Sequence, residues 1–196
     1  MKEPLKLGIV LMLYATVACV GLAFVYAGTK EVIEERSAAD LKAALSELFA
    51  DADSFDDLAG AIKGPIDGVT FGEQYKATKG GQVIGVAITA TYGSYGGPAR
   101  VLVGVDSSGM ISRVKIMELS DTPGLGANAS SDTYFVDKAA GKTFYGQFAG
   151  KPVTDAFVPK EDVIAITAST ITSTAISKIV KVAGTAGKEW LAKGGN

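Results

Sequence analysis

Hydroxyl side chains are concentrated in one short stretch near the end of this 196-residue chain. The segment "IAITASTITSTAISKIVKV" places four threonines and three serines between residues 167 and 177. A serine or threonine that precedes a helix can accept a hydrogen bond from a free amide of the first turn, and this role needs only one or two hydroxyls. A helix start also offers free amides and the positive end of the helix dipole, which together suit a phosphate. From the residues alone, a capped helix start and a phosphate site both remain open, and the first is the simpler.

The composition of the chain excludes several classes of site. There is no histidine, and Cys19 is the one cysteine. A Ser-His-Asp or Cys-His catalytic set, a His/Cys zinc site, a histidine-ligated haem and a four-cysteine iron–sulfur cluster therefore cannot be built within the chain. The 19 basic and 21 acidic side chains argue against nucleic-acid binding, which needs clustered positive charge. Redox or group-transfer chemistry would have to come from an organic cofactor or a partner.

The N-terminal part of the chain contains an uncharged apolar run over residues 7–27. As a helix rising about 1.5 Å per residue, this run spans roughly the 30 Å hydrocarbon core of a bilayer. Lys2 and Lys6 precede it, so the positive-inside rule places the first residues in the cytoplasm and everything after Thr29 outside. The "VYA" before Gly28 also fits a signal-peptide cleavage site, but the length of the run favours a retained anchor in the cytoplasmic membrane.

The rest of the chain predicts an α+β domain: a twisted antiparallel sheet packed with helices and preceded by one transmembrane helix. A period-two pattern over residues 68–119, with turn sequences "KGG" and "DSSG", predicts an antiparallel meander with one covered face. The predicted divisions are an anchor at 1–28, a helical connector at 29–67 and a ligand-binding domain at 68–196.

Further elements follow from local patterns. "DADSFDDL" predicts a solvated linker or a helix start, since its spacing does not match a calcium loop. Residues Thr133 to Phe148 predict a short helical stretch, and residues Val163 to Thr167 a short extended piece. A final helix is predicted from about residues 170–173 to about Leu191. Its inward stripe consists of Ile176, Ile179, Val180, Ala183 and Trp190.

Two glycine-rich motifs are ambiguous. "GLGANA", from Gly124 to Ala129, matches a dinucleotide fingerprint in form, but it neither follows a strand directly nor lies in a βαβ unit. "TYGSYGGPARVLVGVD" fits a hairpin turn, and it equally fits a backbone that a flat ligand approaches closely.

Taken together, the motifs resemble those of the FMN-binding domain family. "TASTITSTAI" is similar to the family's S-G-A-T-x-T-S segment, in which the threonine carries FMN through a phosphoester bond. "SDTPGLG" resembles the family's E-T-P-G-L-G loop, which lies against the flavin ring, and "GSYGGPARVLVGVD" resembles its glycine-rich turn and following strand. The single membrane helix and the length fit the G-subunit family of Rnf ion-translocating complexes better than the C subunit of the sodium-pumping NADH–quinone oxidoreductase.

The resemblance implies a set of cofactor-binding residues. Thr170 takes the place of the threonine that carries FMN covalently. The other implied FMN-binding residues are Thr167, Ala168, Ser169, Thr172, Ser173, Thr122, Gly124, Leu125 and Tyr95, with no metal site and no catalytic residue. The sequence departs from the family pattern at Ala168, where the family has glycine, and at Ser169, where it has alanine. Asp121 replaces the usual glutamate, and the aspartate usually found shortly before the motif falls on Ile164, with Asp162 two residues earlier.

The function implied by the resemblance is that of an electron-transfer subunit in an Rnf-type ion-translocating ferredoxin–NAD oxidoreductase. The implied partners are the other membrane subunits and a flavin transferase that attaches the cofactor. Because the predicted topology puts the domain outside the cytoplasm, the subunit would pass electrons between membrane partners and would not meet ferredoxin or NAD. Two alternatives stay open: a membrane-anchored module that binds a ligand noncovalently, and a stand-alone exported flavoprotein.

Overall fold

The chain forms an α+β structure in the computed structural model, which describes residues 2–194 without the side chain of residue 2. By its internal contacts the chain divides into two compact units, with the boundary after Lys42. The elements are α1 (Lys2–Leu48), β1 (Ser54–Asp57), β2 (Thr70–Lys79), β3 (Gln82–Gly93), β4 (Pro98–Asp106), β5 (Ile111–Glu118), β6 (Phe135–Asp137), β7 (Lys142–Thr143), α2 (Thr170–Ala192) and 3-10 helices at Gly126–Ser130 and Gly146–Phe148.

Helix α1 carries the apolar run predicted to be a membrane anchor. It is long and apolar enough to cross a membrane. Its large apolar side chains from Leu5 to Tyr26 are exposed within the chain. Exposed leucine, valine and phenylalanine on every side of a helix are costly in water and are favourable in lipid. The helix is therefore consistent with a membrane anchor.

The second unit is built on a five-stranded antiparallel sheet. Strands β1 to β5 lie side by side in chain order, so the sheet is the predicted meander extended by one edge strand. The turn between β2 and β3 contains Gly80 and Gly81, both with positive φ. A two-residue hairpin turn of this kind matches the twist of the flanking strands and favours glycine at both positions.

Helix α2 packs on one face of this sheet. The face presents a layer of valine, isoleucine and alanine from β3 and β4, and the register pairs Val86 with Val105 and Ile88 with Val103. Gly187 lies against this layer, where an added Cβ would be 3.1 Å from a methyl carbon of Val86. The whole predicted inward stripe of α2 is buried. Small residues in α2 thus allow the helix to approach the strands closely.

The opposite face of the sheet is also covered, which differs from the single covered face that the sequence predicts. Phe49 and Leu48 lie over Gly85 and Gly104, and a Cβ on either glycine would meet these side chains. Glu47 fixes the same segment by ion pairs to β5, including Lys115 Nζ at 3.0 Å. The last turn of α1 therefore belongs to the core of the second unit.

Two stretches differ from the predicted elements. Residues 133–148 form no α-helix; they contain the small β6–β7 sheet and a 3-10 helix. The helical part of the region 29–67 ends at Leu48, and "DADSFDDL" supplies strand β1 in place of a linker or helix start. In β1, Asp56 pairs with Lys76 across the strands at 3.8 Å, and the solvated edge accommodates its acidic side chains.

Candidate functional site

Three separate segments of the chain meet at the N-terminal end of α2. They are the turn between β3 and β4, the segment that follows β5, and the residues that open α2. Together they enclose a cavity of about 510 Å³, a volume typical of sites for small molecules and cofactors. The cavity is lined by Tyr95, Asp121, Thr122, Leu125, Gly126, Ala168, Ser169, Thr170, Ile171 and Thr172.

The carboxylate of Asp121 joins these three segments. Ser94 Oγ donates to Asp121 Oδ2 at 2.6 Å, and the amide of Gly96 donates to Oδ1 at 2.6 Å. The hydroxyl of Thr172, in the first turn of α2, also donates to Oδ2. Asp121 is only 5% exposed, so these donors replace the water that a carboxylate needs. One side chain therefore holds the walls of the cavity in place.

The ionisation of Asp121 follows from the same contacts. Burial acts to raise the pKa of this carboxyl, but hydrogen bonds from Ser94, Thr172 and the amides of Gly96 and Tyr95 outweigh it and lower the pKa. Hydrogen-bond donors stabilise the carboxylate more than the protonated carboxylic acid. Asp121 is accordingly an anion at neutral pH.

Gly126 closes the cavity beneath the start of α2. A Cβ added to this residue would lie 2.5 Å from Thr172 Oγ1 and 2.7 Å from Asp121 Oδ2. Such distances are well below contact, so any side chain here would push the loop away from the helix. The glycine lets the loop after β5 approach the Asp121–Thr172 hydrogen bond directly.

The residues just before α2 adopt an unusual backbone. Ala168 has φ +58°, a left-handed conformation that favours glycine. Ser169 is the N-cap residue, yet its hydroxyl makes no capping hydrogen bond. Ser169 Oγ is buried and has no hydrogen-bond partner among the described residues. Thr170, the first residue of the helix, is exposed.

The hydroxyls one turn further on are already engaged. Thr172 donates to Asp121, as described above. Ser173 Oγ accepts from the amide of Ile166 at 3.0 Å and donates to the carbonyl of Ser169 at 2.9 Å. These contacts fasten the extended segment before the helix to its first turn. Among the hydroxyls of this motif that line the cavity, those of Ser169 and Thr170 make no hydrogen bond to another described residue.

A second groove, of about 560 Å³, lies on the other side of Thr170. It is formed by residues 160–168 together with Thr170. Asp162 shapes its rim by accepting hydrogen bonds from the amides of Phe157 and Val158, and these bonds lower the pKa of Asp162 against the opposing effect of burial. Buried Gln147 holds the same segment by pairing with both the amide and the carbonyl of Ile164. The approach to α2 is thus fixed from two sides.

The structure brings most of the predicted site residues together. Seven of them line the cavity: Tyr95, Thr122, Leu125, Ala168, Ser169, Thr170 and Thr172. Of the remaining three, Thr167 lines the second groove, Ser173 is fully buried, and Gly124 forms a positive-φ turn beside Leu125. Asp121, Gly126 and Ile171 line the cavity without having been predicted. The position of Asp121 within the loop motif "SDTPGLG" was the sequence signal that could have identified it as a site residue.

Comparisons with known protein families match two parts of the chain. The FMN-binding domain model matches residues 94–184, which include all three cavity-lining segments. The model of the RnfG N-terminal region matches residues 1–48, which end with α1.

Several curated proteins are similar over most of the chain. The G subunit of the proton-translocating ferredoxin:NAD(+) oxidoreductase complex of Clostridium ljungdahlii is 32% identical over 167 residues, covering 83% of this chain and 80% of that protein. The G subunit of the Na(+)-translocating complex of Acetobacterium woodii is 30% identical over 198 residues, covering 92% and 90%. The G subunit of the ion-translocating oxidoreductase complex of Cereibacter sphaeroides is 33% identical over 161 residues, covering 79% and 67%. The chain therefore belongs to the G-subunit family of Rnf-type ion-translocating oxidoreductase complexes and carries that family's FMN-binding domain.

Proposed function

We propose that this chain is the FMN-carrying electron-transfer subunit of an Rnf-type ion-translocating ferredoxin–NAD oxidoreductase, with FMN linked covalently to Thr170 through a phosphoester. The relatives are named as subunits of complexes that couple ferredoxin:NAD(+) oxidoreduction to the movement of H⁺ or Na⁺. The observation that carries the proposal is the position of Thr170: an exposed hydroxyl at the first residue of α2, on the wall of the cavity.

The residues of the cavity fit FMN. A phosphodiester on Thr170 keeps one negative charge, which the free amides and positive dipole end of α2 can offset. The unpartnered hydroxyl of buried Ser169 is a further donor at the same place. Tyr95, Leu125 and Ile171 give the cavity an exposed apolar rim that suits a flat aromatic ring.

When bound, FMN supplies the capacity to accept and release electrons. The role of the chain is to bind FMN, to orient its ring and to tune its reduction potential. Asp121 holds the cavity walls together, and its negative charge opposes the addition of further negative charge nearby. Thr122 and Leu125 line the cavity from the segment that follows β5.

We further propose that the N-terminus lies in the cytoplasm and the domain outside it, in the cytoplasmic membrane. Lys2 and Lys6 before the apolar run of α1 support this orientation. In this topology the domain exchanges electrons with other membrane subunits, and a flavin transferase modifies it after export.

Intact-protein mass and in-gel flavin fluorescence test the covalent link. The full chain, purified from membranes of cells that contain the transferase, is expected to carry one FMN adduct, and chain made without the transferase is expected to carry none. Thr170→Val should abolish the adduct because it removes the accepting oxygen. Thr174→Val is the matched control, since Thr174 is an exposed threonine one turn along α2 that does not line the cavity. An adduct that persists in Thr170→Val would refute the assignment, and Thr174→Val is expected to keep the adduct.

A further inference from the structure

The N-cap of α2 shows an unusual lack of internal pairing. Serine is a favoured N-cap residue because its oxygen accepts a hydrogen bond from an amide of the first turn. Ser169 occupies this position and makes no such bond, so its hydroxyl and the first-turn amides do not satisfy each other. Ser169 is 7% exposed, lines the cavity, and its Oγ is without a partner among the described residues.

An unpaired hydroxyl at this depth costs stability unless something pairs with it. The amides of the first turn can only donate, and the Ser169 hydroxyl, which is able to accept as well, has one hydrogen left to donate. An anion with several oxygens can accept from all of them at once, whereas the hydroxyl as a cap would satisfy one amide only. The arrangement is therefore matched to a phosphate.

We infer that the cavity binds the phosphate monoester of free FMN noncovalently before any covalent link exists, with the Ser169 hydroxyl as the phosphate donor that discriminates FMN from riboflavin. This inference rests on the proposed function, because it assigns the phosphate end of the same cofactor to the same cavity. The inference adds a noncovalent binding step that needs no transferase. It also gives a role to Ser169, which stands where the FMN-binding domain family has alanine.

The electrostatics of the cavity limit where the phosphate can lie. Asp121 is the one carboxylate among the residues that line the cavity, and it is an anion. Its two oxygens accept hydrogen bonds from Ser94, Gly96 and Thr172, which offset part of its charge. The phosphate is accordingly placed at the Ser169 side of the cavity, against the α2 amides, and the ring at the side of Tyr95 and Leu125.

The test uses the full chain in detergent, made without the transferase and shown by intact mass to be unmodified. Affinities for FMN and for riboflavin are measured by quenching of flavin fluorescence. We expect FMN to bind at least tenfold more tightly than riboflavin, and inorganic phosphate to compete with FMN but not with riboflavin. A hydrogen bond to a charged group is worth this much or more, since tenfold corresponds to about 1.4 kcal/mol.

Ser169→Ala should reduce the preference for FMN about tenfold and leave riboflavin binding unchanged. Ser177→Ala is the matched control: Ser177 is a second buried, unpartnered serine of α2, and it does not line the cavity. Both substitutions remove an unsatisfied hydroxyl, so neither should unfold the chain.

Three results would overturn the inference: equal affinity for FMN and riboflavin, no binding of either, or an FMN preference that Ser169→Ala leaves intact. Each of these is separate from a failure of the proposed function, which is measured by the adduct formed in the presence of the transferase. Chain that gains the adduct but shows no noncovalent FMN preference would retain the function and discard this inference.

Discussion

Replacing Ala168 with glycine should stabilise the chain. Ala168 has φ +58°, in the left-handed region, where a Cβ costs roughly 1–2 kcal/mol. Glycine removes that cost but raises the entropy of the unfolded chain, which is worth about 0.4–1 kcal/mol in the opposite direction. The net expectation for Ala168→Gly is a gain of about 0.5–1 kcal/mol.

The gain can be measured by thermal unfolding of the full chain in detergent. Trp190 is the one tryptophan of the sequence and is buried at the end of α2, so its fluorescence reports unfolding of the second unit. For a chain of this size, a gain of this order raises Tm by about 1–4 °C.

Two other alanines serve as controls. Ala59 also has a positive φ, of 47°, and lies away from the cavity, so Ala59→Gly should stabilise by a similar amount. Ala140 is exposed and is not among the positive-φ residues, so Ala140→Gly should destabilise by about 0.4–1 kcal/mol. A Tm that falls in Ala168→Gly by as much as in Ala140→Gly would refute the argument from backbone strain.

Three further outcomes follow from the structure. Asp121→Asn should lower the free energy of unfolding by about 1–3 kcal/mol at pH 7. Because the pKa of Asp121 is lower in the folded than in the unfolded chain, the difference between wild type and variant should be constant above about pH 5 and should shrink as acid protonates the wild-type carboxyl. Urea unfolding at several pH values measures this difference. A pH-independent difference would contradict the assigned charge. Gly126→Ala should destabilise by about 1–3 kcal/mol and weaken flavin binding, because its Cβ collides with Thr172; unchanged Tm and affinity would contradict the close approach. Topology is tested with Ala140→Cys in a Cys19→Ala background, in cells prepared so that the outer surface of the cytoplasmic membrane is accessible to reagents. The new cysteine should react with a membrane-impermeant maleimide added to these cells. A cysteine that reacts only after lysis would reverse the proposed orientation.

The elements that carry strong local patterns were predictable. The period-two strands between residues 68 and 119 and the stripe that includes Ile176 and Ile179 are confirmed, because each pattern reflects burial on one face of a regular element. Residues 133–148 were predicted wrongly as helical. Phe144 and Phe148 lie four residues apart, which is also the spacing of side chains on one face of a helix. Their rings meet edge to face at 5.7 Å within an irregular segment. The spacing misled the prediction because this segment is buried by distant parts of the chain.

The candidate site was predictable where a motif could be recognised, and less so where it depends on long-range contacts. The motif pointed to Thr170, whereas periodicity alone left a capped helix start as the simpler explanation. The role of Asp121 depends on donors 27 and 51 positions away in sequence, which no local pattern reveals. The unused cap at Ser169 could not be anticipated either, since a serine before a helix predicts the opposite arrangement.

The burial of Phe49 and Leu48 against Gly85 and Gly104 sets where a water-soluble version of the domain can begin. The boundary predicted from sequence, at residue 68, would remove both side chains and open a glycine-lined apolar trough on the sheet, inviting aggregation. It would also delete β1 and expose the edge of β2. A version that starts near Ala43 keeps the final turn of α1, which covers these glycines, and omits the exposed apolar side chains from Leu5 to Tyr26. Overproduction in solution should therefore succeed from residue 43 and fail from residue 68.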